Sequence, residues 1–391
     1  MVTADSRRGR IALMVAHCAG MVDLVALPVW VGTLISHHGF DPQQAGALAT
    51  LFLAAAVVAS VMLAPRFGRL PRRAVTAAGF GVAGLAFFGV ALSQDFKTMA
   101  VLHALAGFAA GSALSVTHGT IARGANPHRL FALVGIALGV FAIAFFAVVP
   151  PLLAAVGGPA LFRVFAAVMA LAALVAAGSF PHADGAAARD AAPLRVAEPA
   201  GRGAPMPSAI WFGVVGIGCM GLVQAMTFAF LERVGNERGF GLAAVTGVLV
   251  ALSVVNLFPA ALAALLEKRW SARTVLLSGP VLQALLVALI MQSTVFAPYA
   301  ASASVFAAVM IFTHTFGFGL LARLEPSGRA LAATPAMVMT GAAIGPILGG
   351  TLVKAFGYGS LAVAAAVIAT IAVACFSRLP APAAASRSAL A

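Results

Sequence analysis

Charge is scarce in this sequence: Asp, Glu, Lys and Arg make up 9% of the chain, and only 11 of its 391 residues are acidic. Hydrophobic residues make up 62% and the mean hydropathy is +1.04, so there is too little polar surface to cover a water-soluble globule of this length. Cysteine is rarer still. Cys18, Cys219 and Cys375 lie far apart in apolar runs, which excludes a disulfide framework and any zinc-ligand spacing. No nucleophile stands beside a base, and there is no phosphate loop or pair of carboxylates, so an enzyme and a cofactor site are not expected.

What the chain has instead is long apolar runs. A helix needs about 20 residues to cross about 30 Å of hydrocarbon. Runs of that kind fall near 11–35, 44–64, 74–93, 98–122, 130–156, 160–180, 208–231, 242–266, 273–292, 296–321, 330–355 and 360–379. The first is too long for a signal-peptide core and has no cleavage site, so it reads as a permanent span. The expected fold is therefore an all-α membrane protein with twelve transmembrane helices.

The net charge of +13 invites a nucleic-acid reading, but its distribution points elsewhere. With the amino terminus placed in the cytoplasm, nineteen of the 24 lysines and arginines fall in the breaks on that side. Lys97, Arg163, Arg233, Arg238 and Lys354 are left on the other. This is the positive-inside bias, and it predicts a multi-pass plasma (inner) membrane protein with both termini cytoplasmic. The expected partners are a small-molecule substrate, protons and lipid, with no nucleic acid, and the chain is expected to act as a monomer.

Residues 181–207, rich in Ala, Pro, Gly and Arg and without periodicity, read as a disordered linker between six spans (1–180) and six more (208–379). The tail 380–391 has the same character. Shifting the chain against itself by about 200 residues aligns "CAGMVD" from Cys18 with "CMGLVQ" from Cys219, and "AVGGPAL" from Ala155 with "AFGYGSL" from Ala355. Ala122, Arg123 and Arg129 likewise meet Ala322, Arg323 and Arg329. Two parallel six-helix repeats predict a substrate path at their interface near the midplane.

In specific residues the chain resembles the major facilitator superfamily, and most of all its twelve-helix drug and metabolite exporters. The first span carries "DLVALP", Asp23 to Pro28, similar to the exporters' first helix. The loop "PRFGRLPRR" resembles the family's G-x-x-x-D-[RK]-x-G-[RK]-[RK] segment, with Arg66, Gly68 and Arg69 matching and Pro65 where the Asp belongs. The missing carboxylate removes part of a charge latch that the resemblance implies, and Glu267 in "EKRWSAR" is the acidic candidate left. "LHALAGFAAG" is similar to an R-x-x-x-G-x-x-x-G segment with His103 in place of Arg. The antiporters' glycine element is degraded in the fifth span, and "GAAIGPILGG" (Gly341 to Gly350) stands in the eleventh instead.

The ionisable groups inside the runs carry the functional expectation. A carboxylate at the bilayer centre costs about 3 kcal/mol unless it faces protein or water. Asp23 reads as the sole acid deep in a span, serving either as a structural hydrogen-bond acceptor or as a site that takes up and releases a proton. Its repeat partner is the neutral Gln224. His103, Gly107, Gly111, Ser115 and His118 share one helix face. His103 lies about 9 Å and Asp23 about 18 Å from the outer surface, which suggests a relay through water or substrate. His17, His118, His314, Asn256 and Gln224 are candidate substrate-lining residues. His118 and His314 are expected to face each other, or else to pack. Histidines together with Asp23 suit a transition metal, but no local ligand spacing supports one. Arg163 and Lys354 read as interfacial anchors. One carboxylate and no fixed cation at mid-membrane favours neutral or cationic solutes. The expected function is proton-coupled export, the alternatives being an uptake symporter or a non-transporting receptor on the same scaffold.

Overall fold

The computed structural model describes residues 2–181, 208–324 and 334–380. The expected linker and tail lie almost wholly outside them. Among the described residues there are helices and no strands, and 12 helical spans are long and apolar enough to cross a membrane. Helix is the form the runs must take, because hydrocarbon offers no partner for an open backbone group.

The first span is two helices, α1 (Arg7–Gly20) and α2 (Val22–Ser36), broken at Met21. Then come α3 (Pro42–Leu63), a 3-10 turn (Ala64–Arg69), α4 (Arg72–Ala91), α5 (Phe96–Ala122), α6 (Pro127–Val156) and α7 (Pro159–Ser179). The second half holds α8 (Ser208–Glu237), the broken span α9 (Leu242–Val255) and α10 (Pro259–Leu266), α11 (Ala272–Gln292), α12 (Phe296–Leu324), α13 (Thr334–Phe356) and α14 (Gly359–Ser377). Several starts are capped by side chains. Asp95, Asn126 and Ser271 each accept from the N–H three residues on. Asp41 and Gln44 form a reciprocal capping box at the start of α3, with Pro42 in the first turn.

The duplication read from the sequence is visible in the backbone. Gly39 and Gly239 turn the chain with φ of 70° and 76°, and Gly157 and Gly357 with 87° and 75°. These left-handed values favour glycine. Arg73 donates to the carbonyl of Ala177, and Arg273 to those of Leu379 and Ser377, so each half ties its third span to the end of its sixth. The packing repeats as well: α3 lies on α5 as α9 lies on α12, and α4 on α7 as α11 on α14.

The halves meet along α3 with α13, α6 with α9, and α2 with α8. Glycine makes the first seam close. A Cβ at Gly46 would overlap the Pro346 carbonyl, and one at Gly350 the carbonyl of Pro42. The "GAAIGPILGG" element therefore packs α13 on α8 through Gly341 and Gly345 and on α3 through Gly350. Small residues admit such approaches where packing rather than water exclusion drives association.

Candidate functional site

Asp23 sits in the first turn of α2, two residues after the break at Met21. The interruption explains how a carboxylate survives there. A helix start offers free backbone N–H groups, and those of Asp23 and Leu24 face the side chain. Asp23 is only partly buried and Leu24 is 51% exposed, on a span that is otherwise among the most buried in the molecule. α2 crosses α8, the helix that carries Gln224. Gln224 Oε1 accepts from Gln283 Nε2 at 3.3 Å, and the same amide donates to the Met220 carbonyl at 3.2 Å.

His17 and His118 come together. Nδ1 of His17 lies 3.0 Å from Nε2 of His118, with the ring centroids 5.1 Å apart. This contact needs one protonated and one bare nitrogen, so it suits two neutral rings of complementary tautomer. His118 thus finds its partner on α1 in its own half. His314 lies against Phe318 in the other half, and no contact between His118 and His314 is described. Asn256 follows α9 at the break in the eighth span, and its Oδ1 is buried without a partner.

His103 is placed differently from the expectation. It is fully buried among Trp30, Phe87 and Phe162. Its Nδ1 reaches the Met99 carbonyl at 2.7 Å, and its Nε2 accepts from the Trp30 indole N–H at 3.3 Å. A second ring proton would set two donors against each other, so this geometry holds a neutral packing histidine and lends the relay no support.

The loop after α3 also differs from its resemblance. Arg66 donates to the Met62 carbonyl at 2.6 Å. A side chain at Gly68 would meet open space, and its φ makes no demand for glycine. The grip comes from Phe67, whose ring lies under the guanidinium groups of Arg72 and Arg123 at 4.6 and 4.5 Å. Cation–π contact therefore grips the loop from which the resemblance's carboxylate is missing. Glu267 lines a small pocket beside Arg323 and Trp270, and among the described residues it forms no ion pair.

Two readings are corrected. Lys354 is no lipid anchor, because its Nζ bonds Asp41 Oδ2 of the other half at 2.8 Å. Burial alone would raise the Asp41 carboxyl, but Lys354 and the N–H groups of Gln44 and Gln43 together hold it below its ordinary value. Asp23 is also not the sole acid inside a span. The seventh span runs on to Glu237 rather than stopping at 231, and this encloses Glu232. The stop signal is Gly239 with its left-handed φ, not the first charged residue. Glu232 Oε1 accepts from the Asn236 amide, and Oε2 lies against Gly32 of α2.

Among the described residues no cluster of three metal-ligating side chains forms. The named contacts between the halves gather where Lys354 lies: Asp41 with Lys354, Thr50 with the Ile347 N–H at 3.1 Å, and Gly32 with Glu232. Farther along α3, Val58, Val61 and Met62 are about half exposed, at 51%, 61% and 48%.

The sequence profile of the Major Facilitator Superfamily matches residues 12–324. The chain belongs to this superfamily. Membership makes it a membrane transporter of small molecules and not an enzyme. No curated protein matches it by sequence. Solved structures share its fold. The nucleoside transporter NupG is 16% identical with a TM-score of 0.73, over 96% of this chain and 99% of that one. A bacterial homologue of the human lysosomal transporter Spinster, in an inward-facing and unoccupied conformation, is 13% identical with a TM-score of 0.68, over 96% and 95%.

Proposed function

We propose that this superfamily member is a proton-coupled transporter of a small neutral or cationic solute, working as an exporter by alternating access. The observation that carries the reading is Asp23: a partly exposed carboxylate at a helix break on the central span, with no ion pair to it among the described residues. Such a group is retained in hydrocarbon where its charge alternates or meets a cationic substrate. The halves are latched at the Lys354 end, so access to Asp23 runs from the opposite, arginine-rich end, which the charge bias assigns to the cytoplasm. Gln224, Gln283 and the His17–His118 pair supply neutral hydrogen-bonding groups around that path. The exporter-like "DLVALP" element supports export.

Uptake by symport is the second reading, favoured by the likeness of fold to a nucleoside transporter. Proteoliposomes with an imposed pH gradient separate the two, using radiolabelled nucleosides and tetraphenylphosphonium as probes. Export predicts that the solute moves against the proton flow, and symport that it moves with it. Asp23→Asn is expected to abolish the pH-driven component in either case. Undiminished pH-driven flux in that variant overturns the assignment of Asp23.

A further inference from the structure

Glu232 has no role in the reading above, and its surroundings are unusual for an acid. It lies on α8 five residues before the helix end, about 8 Å down the axis. It touches the opposite half at the one position of α2 that could admit it: a Cβ at Gly32 would overlap its Oε2. In the register that pairs Cys18 with Cys219, Glu232 corresponds to Val31, the neighbour of Gly32. The contact therefore falls where the two halves' first spans cross.

Every cation nearby is engaged elsewhere. Arg233 pairs with Glu237 at 2.6 Å, Lys354 with Asp41 at 2.8 Å, and Arg238 donates to the carbonyls of Ser293 and Met291. From α12, Tyr299 gives its hydroxyl to the Leu231 carbonyl at 2.8 Å. From α14, Tyr358 stands with Arg233 and Glu237. His37 and His38 follow α2 and face their own half, against Gly158 and Phe162. Among these side chains Asn236 alone hydrogen-bonds the carboxyl. An amide is a weak counterpart to a full charge held between two helices.

We propose that Glu232 is a second acid site, at which proton binding holds the two halves together at the Lys354 end and proton loss drives them apart. The proposal rests on the alternating-access reading. The physical link is direct: with the halves joined, Glu232 is partly buried against Gly32 of the other half and the adjacent Arg233 is paired with Glu237, whereas with the halves parted water hydrates a negative charge there more fully. Whatever favours the charged form must then favour the parted state by the same factor. Asp41 cannot supply this response near neutral pH. Its carboxyl is held below the ordinary range and stays ionised, so the Asp41–Lys354 bond persists while Glu232 titrates.

The test uses the full chain in nanodiscs with Cys18, Cys219 and Cys375 replaced by alanine and spin labels at Gln94 and Thr294. These exposed residues sit in the turns before α5 and α12, one in each half. Pulsed dipolar spectroscopy from pH 5.5 to 8.5 is expected to show a longer distance gaining on a shorter one, by up to about ten-fold in population ratio per pH unit. Glu232→Gln is expected to stay short at every pH. Glu232→Asp, a control for folding, keeps the response. Wild-type pH dependence in Glu232→Gln would overturn the proposal. Lys354→Gln, which breaks the neighbouring latch, distinguishes the remaining failures. If that variant lengthens the distance while pH does nothing, Glu232 is excluded and alternating access stands; a single short distance in every sample sinks both.

Discussion

The two halves of this transporter share a backbone and differ in chemistry. Turns at Gly39 and Gly239, turns at Gly157 and Gly357, and the helix-end ties of Arg73 and Arg273 repeat at one offset. The ionisable groups do not repeat. His17, Asp23, His103 and His118 belong to the first half, where the counterpart of Asp23 is Gln224. The helix geometry follows the same division: the first span breaks at Met21 just before its aspartate, whereas α8 runs unbroken from Ser208 to Glu237 past its glutamine. The second half breaks its eighth span at Asn256 instead. Duplication supplied a common frame, and the ionisable side chains set on it differ between the halves.

The comparison can be broken most severely at the charge. Exchanging the pair, Asp23→Gln with Gln224→Asp, is expected to leave pH-driven flux at least ten-fold below wild type, because α8 lacks the helix break that offers free N–H groups to the carboxylate. Restored flux would show that the halves are interchangeable. The next effect is steric. Gly107→Leu forces a side chain into the Phe52 carbonyl and is expected to destabilise by about 3 kcal/mol, seen as a fall in melting temperature. Gly319→Leu, in open space, should change it little.

Smaller effects sharpen the likeness. Arg73→Ala and Arg273→Ala each remove a guanidinium bonded to helix-end carbonyls and should each cost about 1 kcal/mol in thermal unfolding. Unequal losses would count against equivalent roles. The smallest effect belongs to the exposed Asp41–Lys354 pair, worth about 0.5 kcal/mol, so Lys354→Gln should raise the population parted at that end about two-fold. Because the Asp41 carboxyl is depressed, the pair contributes fully above the ordinary carboxylate pKa of about 4 and is lost as pH falls below it through the depressed folded-state value. Spectroscopy on the labelled protein between pH 3 and 7 checks the sign.

Much of the frame was legible because hydrocarbon imposes it. Runs of apolar residues must become helices, and the repeat survives at positions where geometry demands particular residues, such as Gly157 and Gly357. The site was legible in part. Asp23 stands out by its cost, but nothing local shows that His17 and His118 bond each other. His103 misled because residue type and helix face do not reveal that Trp30 and Met99 occupy both its nitrogens. Glu232 was missed because the helix end was placed at the first charge; the positive-φ glycine at 239 was the better signal. Lys354 looked like an anchor because its partner, Asp41, lies 313 residues away in sequence.

The sequence by itself determined the solvent, the number of spans and their duplication, since each follows from transfer energies and chain geometry that act locally. Tertiary structure alone decided which polar groups meet and which halves touch. Those outcomes rest on side chains brought within about 3 Å across helices far apart in the chain. No periodicity encodes such a distance, because it depends on how two packed surfaces fit.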